Sequence, residues 1–325
     1  MSIAFVVAGL ILLALGAEVM IRGAAALGVR FGVSPLWIGI VLVGFGTSTP
    51  ELLASLRAAS AGSPGLALGN VVGSNIANIL LILGIAALIR PLATTAAAFR
   101  RDTTALLASA LCVFAAVQYG VVDRLVAFLL MFVFVAYLVQ LYRAERGTPD
   151  AAGQLYKAEA DFILSSPRLL MIDAAMFVGG LIALLGGTEL LVTGATNLAK
   201  TLGVSESVIG LTVVAVGTSV PELTTSVIAA VRGKADISFG NIIGSNIFNA
   251  LAVLGITGLV APFAVPIEIA HFDIWVMVVA SGLLAVFAYT NWTLARWEAG
   301  FFLVAYGLYM AVVTMPSFRE FVVGN

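Results

Sequence analysis

Charge is what this chain has least of. Asp, Glu, Lys and Arg make up 10% of its 325 residues, against roughly 25% in a typical soluble domain, and 61% of the chain is hydrophobic. Such a composition predicts a polytopic membrane protein. The basic residues sit in short loops and form no continuous stripe, and the net charge is −1, which excludes a nucleic-acid partner. Cysteine occurs once, at Cys112, so an intramolecular disulfide and a thiolate metal site are both excluded. In its apolar run Cys112 reads as a small filler. Histidine also occurs once, at His271, where it reads with the tryptophans as an interface anchor. The first apolar segment lacks a basic leader and runs from Ile3 to about Leu27. It is expected to be a spanning helix and not a cleaved signal.

A helix needs about 20 apolar residues to cross the hydrocarbon, and segments of that kind fall near 3–27, 34–60, 65–89, 103–120, 124–143, 169–199, 205–231, 236–260, 271–290 and 296–316. The expected fold is therefore all-α, with ten transmembrane helices. A polar segment containing Asp150, Lys157, Glu159 and Asp161 divides them five and five. The expected organisation is a first five-helix unit over 1–143, a linker over 144–168 and a second unit over 169–325.

A constant shift of 171 positions supports that division. It lays Gly9 on Gly180, Gly16 on Gly187, Glu18 on Glu189, Gly23 on Gly194 and Pro91 on Pro262. Chance overlap of two apolar sequences matches Leu, Val and Ala, not Gly, Pro and Glu at one offset. Five spans being an odd number, the second unit enters the membrane from the opposite side, as in the inverted repeats of many secondary transporters. With the amino terminus on one side, Arg57, Arg124, Lys200 and Arg319 share that side and the other twelve basic residues lie opposite. The positive-inside rule then puts the linker in the cytoplasm and both termini outside. The expected location is the inner membrane of the cell.

The same shift joins two polar stretches inside apolar runs. Gly46, Thr47, Ser48, Thr49, Pro50, Glu51 and Leu52 align with Gly217, Thr218, Ser219, Val220, Pro221, Glu222 and Leu223. Each proline withholds a hydrogen bond from the carbonyl about one turn earlier. In lipid a freed carbonyl is tolerated only against protein or a polar cavity. A carboxylate near mid-membrane costs about 2.5–3.5 kcal/mol on insertion scales, so Glu51 and Glu222 mark a functional site by default. A protonated glutamate bonded to a neighbouring helix would leave the repeated Thr-Ser-x-Pro context unexplained.

Each stretch has an Asn-rich follower. Asn70, Ser74 and Asn78 recur at helical spacing on one face, as do Asn241, Ser245 and Asn249, with glycines on the adjoining stripe that permit close helix approach. Asn75 and Asn246 lie off the stripe and suit inter-helix hydrogen bonds. The assembled donors are two carboxylates, the hydroxyls of Thr47, Ser48, Ser74, Thr218, Ser219 and Ser245, the amides of Asn78 and Asn249, and loosened carbonyls. These are hard oxygen donors with no His or Cys beside them. They suit Ca²⁺ or Na⁺ and disfavour Zn²⁺ or Cu. A site charge of about −2 balances one Ca²⁺ or monovalent ions in sequence.

At these residues the chain resembles the calcium/cation antiporter superfamily, and within it the prokaryotic sodium/calcium exchangers. The two Gly-Thr-Ser-x-Pro-Glu-Leu stretches and the two Gly-Asn-x-x-Gly-Ser-Asn-Ile-x-Asn stretches match the alpha repeats of that family. The resemblance implies exchange of Na⁺ for Ca²⁺ by alternating access, with protons as an alternative counter-ion. It implies that Glu51 and Glu222 hold calcium with the backbone oxygens of Thr47 and Thr218. Ser48, Ser74, Ser219 and Ser245, with carbonyls near Gly44 and Ala215, would hold sodium, and Asn78 and Asn249 would complete the centre. Well-known exchangers of this type carry Asp at the position of Asn249. The resemblance further implies that the first and sixth helices slide as a unit over the rest, and Gly16, Gly23, Gly187 and Gly194 would suit a sliding surface. Glu18 stands one turn from Arg22, so an interfacial ion pair and a gating role both remain open for it. No enzyme activity, no cofactor and no obligate protein partner beyond the lipid bilayer are expected. A cation channel is the reading from a different class.

Overall fold

The structure is a computed structural model that describes residues 2–31, 37–93, 96–146, 167–201 and 215–315. Residues 147–166 of the expected linker, the first part of the expected seventh span (205–214) and Arg319 lie outside the described residues. Eight helices among the described residues are long and apolar enough to cross a membrane. These are α1 (Ser2–Phe31), α3 (Pro64–Ile89), α4 (Ala96–Tyr119), α5 (Arg124–Arg146), α6 (Pro167–Thr201), α8 (Ala235–Val260), α9 (Ile274–Asn291, preceded by the π-turn Ile269–Asp273) and α10 (Arg296–Thr314). Two more rods are broken. The rod α2 consists of a π-turn at Ile38–Gly44, one turn at Phe45–Thr47 and a helix at Thr49–Ser60. In α7, Ala215–Thr218 is followed by Val220–Val231.

The breaks follow from the prolines. Pro50 and Pro221 sit in the first turn of the following helical pieces, where their missing N–H costs nothing. The residues before those pieces leave helical geometry, Ser48 at φ −84°, ψ 10° and Ser219 at φ −89°, ψ 7°. Pro50 cannot donate to the Gly46 carbonyl, and Thr49 Oγ1 donates to it at 3.0 Å instead. Gly62 and Gly233 then turn the chain into α3 and α8 at φ 73° and 75°, a left-handed conformation that side chains disfavour.

Two separate hydrophobic clusters organise the packing. The larger is built on α3, α4, α5, α8, α9 and α10. The smaller gathers Leu13, Ala17, Met20, Ile21 and Ala24 of α1 around Leu184 of α6, with Ile38, Val43, Ala229 and Ile237 at its edge. α1 and α6 lie backbone to backbone. A Cβ added to Gly16 would stand 2.8 Å from the Leu184 nitrogen, and one added to Gly187 would stand 2.9 Å from that of Leu13. This corrects the expectation for these glycines. Gly16, Gly23 and Gly187 face the partner helix, so they weld α1 to α6 and do not form a sliding surface.

The described residues are helical as expected, apart from two short pairings at the helix ends. Strand β1 (Leu92–Ala93) pairs with β4 (Thr293–Leu294), and β2 (Val121–Val122) pairs with β3 (Phe263–Ala264), both antiparallel. Helices end at these points and leave open carbonyls, which neighbouring arginines cap. Arg296 donates to the carbonyls of Leu88 and Ile89 at 3.1 and 3.2 Å, and Arg124 donates to that of Leu259 at 3.4 Å. Matched positions also continue beyond α3. Asp102 and Asp273 are 171 apart and both buried; Asp273 accepts from Tyr309 at 2.9 Å, while Asp102 pairs with Arg101 at 2.7 Å.

Candidate ion site

The two broken rods cross where their carboxyl groups meet. Glu51 and Glu222 directly follow their prolines, and both are fully buried. Their hydrogen bonds run from each rod to the other. Ser48 Oγ donates to Glu222 Oε1 at 2.8 Å, and Ser219 Oγ donates to Glu51 Oε1 at 3.2 Å. The single Ser245 hydroxyl hydrogen is shared between the Gly44 carbonyl at 3.1 Å and, at longer range, Glu222 Oε1 at 3.4 Å. Ser74 Oγ accepts from Ser219 at 3.4 Å. The structure thus brings Glu51, Ser74 and Ser219 into one contact set and Glu222, Ser48 and Ser245 into another. The two carboxyl groups are close enough to interact electrostatically.

Half of each carboxyl group is left over. Glu51 Oε2 and Glu222 Oε2 have no protein partner among the described residues. Neither do the amide oxygen and nitrogen of Asn78 or of Asn249, although both residues are 0% exposed. Asn78 follows Ser74 by one helical turn, and Asn249 follows Ser245 likewise, so each amide shares a face with its serine. Both amides sit at π-turns, Asn78–Leu83 and Phe248–Val253, a local widening that is frequent at functional sites. An unpaired buried polar group costs roughly 1–3 kcal/mol in protein contexts. Asn75 Oδ1, Tyr137 Oη, Asn246 Oδ1 and Thr257 Oγ1 are orphaned as well. The orphaned oxygens of Glu51, Glu222, Asn78 and Asn249, however, belong to side chains that bond the site serines or share a helix face with them, and these call for a polar occupant.

Thr47 and Thr218 take a different place from their neighbours. Thr47 Oγ1 reaches the Gly44 carbonyl at 3.2 Å and Asn241 Oδ1 at 3.3 Å, and Thr218 Oγ1 reaches Asn70 Oδ1 at 3.5 Å. Their hydroxyls brace the Asn-rich helices. Asn70 and Asn241 complete the brace, and the residue reading missed this role. Asn70 Nδ2 bonds the Glu51 carbonyl at 3.0 Å and Ser55 Oγ at 2.9 Å. Asn241 Nδ2 bonds the Glu222 carbonyl at 3.2 Å, Thr225 Oγ1 at 2.9 Å and Ser226 Oγ at 2.7 Å. The signal was present, since Asn70 and Asn241 start the same stripes that end at Asn78 and Asn249. Off the stripe, Asn75 Nδ2 contacts Met277 Sδ at 3.6 Å across helices. Asn246 Nδ2 turns back to the Ile242 carbonyl of its own helix at 2.7 Å.

A close approach sets the geometry of one rod. A Cβ on Gly44 would stand 3.0 Å from the Ser245 nitrogen, so the first half of α2 lies directly on α8. That contact lets Ser245 reach both the Gly44 carbonyl and Glu222.

The family described as sodium/calcium exchanger protein matches residues 1–143 and 172–315 of the chain. The sodium/calcium exchanger MaX1 of Methanosarcina acetivorans is 33% identical over 344 aligned positions, covering 94% of this chain and 96% of that one. The inner membrane protein YrbG of Escherichia coli is 38% identical over 268 residues, 81% of each chain. Among solved structures, the sodium-calcium exchanger NCX_Mj soaked with Na⁺ and Sr²⁺ superposes with a TM-score of 0.84 at 30% identity, covering 97% of this chain and 99% of that chain.

Proposed function

Because the chain belongs to the sodium/calcium exchanger protein family, we propose that it is a secondary active transporter that exchanges Na⁺ for Ca²⁺ at the buried site between α2, α3, α7 and α8. One observation carries the reading: Glu51, Glu222, Asn78 and Asn249 bury polar atoms that no group among the described residues satisfies. Four acceptor oxygens of hard character, two of them carboxylate, supply the centre of a Ca²⁺ shell of six to eight oxygens. The backbone carbonyls of Thr47 and Thr218 complete it. Ser48, Ser74, Ser219 and Ser245, with the Gly44 and Ala215 carbonyls, hold sodium at its flanks. Ca²⁺ and Na⁺ then compete for the same carboxylates. Returning the empty site across the membrane would carry two uncompensated buried charges, so movement without an ion is suppressed.

The proposal includes ten spans in two inverted five-helix units, 1–143 and 169–325, with both termini outside and the linker at 144–168 in the cytoplasm. The shared offset of the paired bonds supports it. Ser48 to Glu222 answers Ser219 to Glu51, and Asn70 to Glu51 answers Asn241 to Glu222. The protein works without a cofactor or enzymatic step and lies in the inner membrane.

Purified protein in liposomes, loaded with Na⁺ and diluted into Na⁺-free buffer, is expected to accumulate Ca²⁺ in proportion to the gradient. Accumulation indifferent to Na⁺ would falsify the sodium reading. Exchange driven by a pH gradient is the second reading, favoured by the unpartnered Oε2 atoms, each of which can take a proton. It predicts Ca²⁺ uptake in sodium-free buffer. A channel would instead conduct cations with no counter-ion gradient.

A further inference from the structure

We propose that Glu18 and Arg232 form a breakable latch between the α1–α6 pair and the rest of the bundle, making them positioning residues for the alternation of the site. The inference rests on the transport reading above, and three observations carry it.

First, α1 and α6 are one packing unit. Their glycines bring the backbones together, and their apolar cluster, which meets the bundle through Ile38, Val43, Ala229 and Ile237, is distinct from the main one. Second, the two long-range ion pairs of α1 among the described residues differ in kind. Arg30 of α1 pairs with Asp173 of α6, so that pair lies inside the unit, and its side chains are only 8% and 12% exposed. Glu18 Oε2 instead pairs at 3.0 Å with Arg232, which follows α7, and that arginine side chain is 55% exposed. The first pair moves with the unit, whereas the second spans its boundary and has water at hand when it opens.

Third, Glu18 keeps a partner after release. Its other carboxylate oxygen holds Arg22, one turn along the same helix, at 2.6 Å. Opening the latch therefore frees Arg232 to solvent without stranding the carboxylate. A pair of this exposure contributes little to stability, as a contact that must break in each cycle requires. The device is one-sided. Glu189 stands where Glu18 stands, 171 positions on, but Ala61 occupies the place of Arg232, and Glu189 makes no ion pair among the described residues. Among the described residues, one end of the unit is latched and the other carries no matching ion pair.

The test uses full-length protein with Cys112→Ala and spin labels on cysteines introduced at two exposed positions, Leu15 on α1 and Leu129 on α5. Electron–electron distance measurements need no ion gradient, so they report on the latch even if the counter-ion is H⁺. Glu18→Gln and Arg232→Gln are each expected to shift the ratio of the two distance populations in the same direction, by about two- to fivefold. The double variant shifts it no further than either single one. Arg232→Lys and Glu189→Gln stay near the parental ratio. A cleavable thiol bridge between Glu18→Cys and Arg232→Cys is expected to stop Ca²⁺ flux, under whichever gradient drives it, until reductant is added. Unchanged populations in both single variants, or full-rate flux through the bridged protein, would overturn the proposal.

Discussion

The two halves of the proposed ion site carry nearly the same residues but not the same bonds. Glu222 Oε1 receives two hydroxyls, from Ser48 and Ser245, whereas Glu51 Oε1 receives only that of Ser219 among the described residues. The two Nδ2 hydrogens of Asn241 have three acceptors within reach on α7, and those of Asn70 have two on α2. Thr49 supplies a hydroxyl to the carbonyl its proline abandons, while Val220 has none to offer Gly217. The half centred on Glu222 is thus more firmly held at its carboxylate, whereas only the half centred on Glu51 has a hydroxyl for the carbonyl its proline frees. A doubled sequence has produced one stiffer ligand and one looser ligand.

The largest test removes the feature the halves share. Glu51→Gln and Glu222→Gln each delete one of two charges, at a cost of about 2–5 kcal/mol or thirtyfold and more in Ca²⁺ affinity. Calcium flux in liposomes is expected to fall to background for both, with the protein still folded by thermal melting. A variant with full flux would show that its half does not hold calcium. Next, Asn249→Asp adds a third acid to one half only. Three carboxyl groups in one buried site do not all ionise together, so Ca²⁺ uptake is expected to become more sensitive to acidification than in the parent chain, read as flux between pH 5 and 8. An unchanged profile would place position 249 outside the ion path.

Smaller effects sharpen the difference. Ser219→Ala takes from Glu51 its one hydroxyl, and Ser48→Ala leaves Glu222 with another. A buried hydrogen bond is worth about 0.5–1.5 kcal/mol, so the half-saturating Ca²⁺ concentration should rise roughly fivefold for Ser219→Ala and less for Ser48→Ala. The reverse order would invert the comparison. Smallest are Thr49→Val and Val220→Thr, expected to lower and raise thermal stability by about 1 kcal/mol or less, through loss and gain of a hydroxyl on the freed carbonyl.

Much of this was legible in the residues. Proline beside glutamate in an apolar run predicts a broken helix, and the breaks fall at Ser48 and Ser219. The fixed offset predicts which residues pair across the site, because the partners of Glu51 and Glu222 carry matching numbers. Other features depend on approach, which spacing does not encode. The glycines of α1 and α6 could have faced any neighbour, and only packing assigns them to each other. Asn70 looks like a ligand on a helical wheel, yet the Glu51 carbonyl and Ser55 lie within its reach. Strands of two residues leave no periodicity to detect, and Arg124 and Arg296 read as loop charges until the open carbonyls opposite them are seen.

Those small strands bear on how the chain is made. β1 and the carbonyls of Leu88 and Ile89 emerge from the ribosome early, but Arg296, which closes them, follows 208 residues after Leu88. Arg124 waits 135 residues for Leu259. Each rim of the bundle is stapled by one segment from early in translation and one from late, so the early half enters the bilayer with seams that only the late half can close. Synthesised as separate polypeptides, the halves would have to find each other in the membrane before either could be completed.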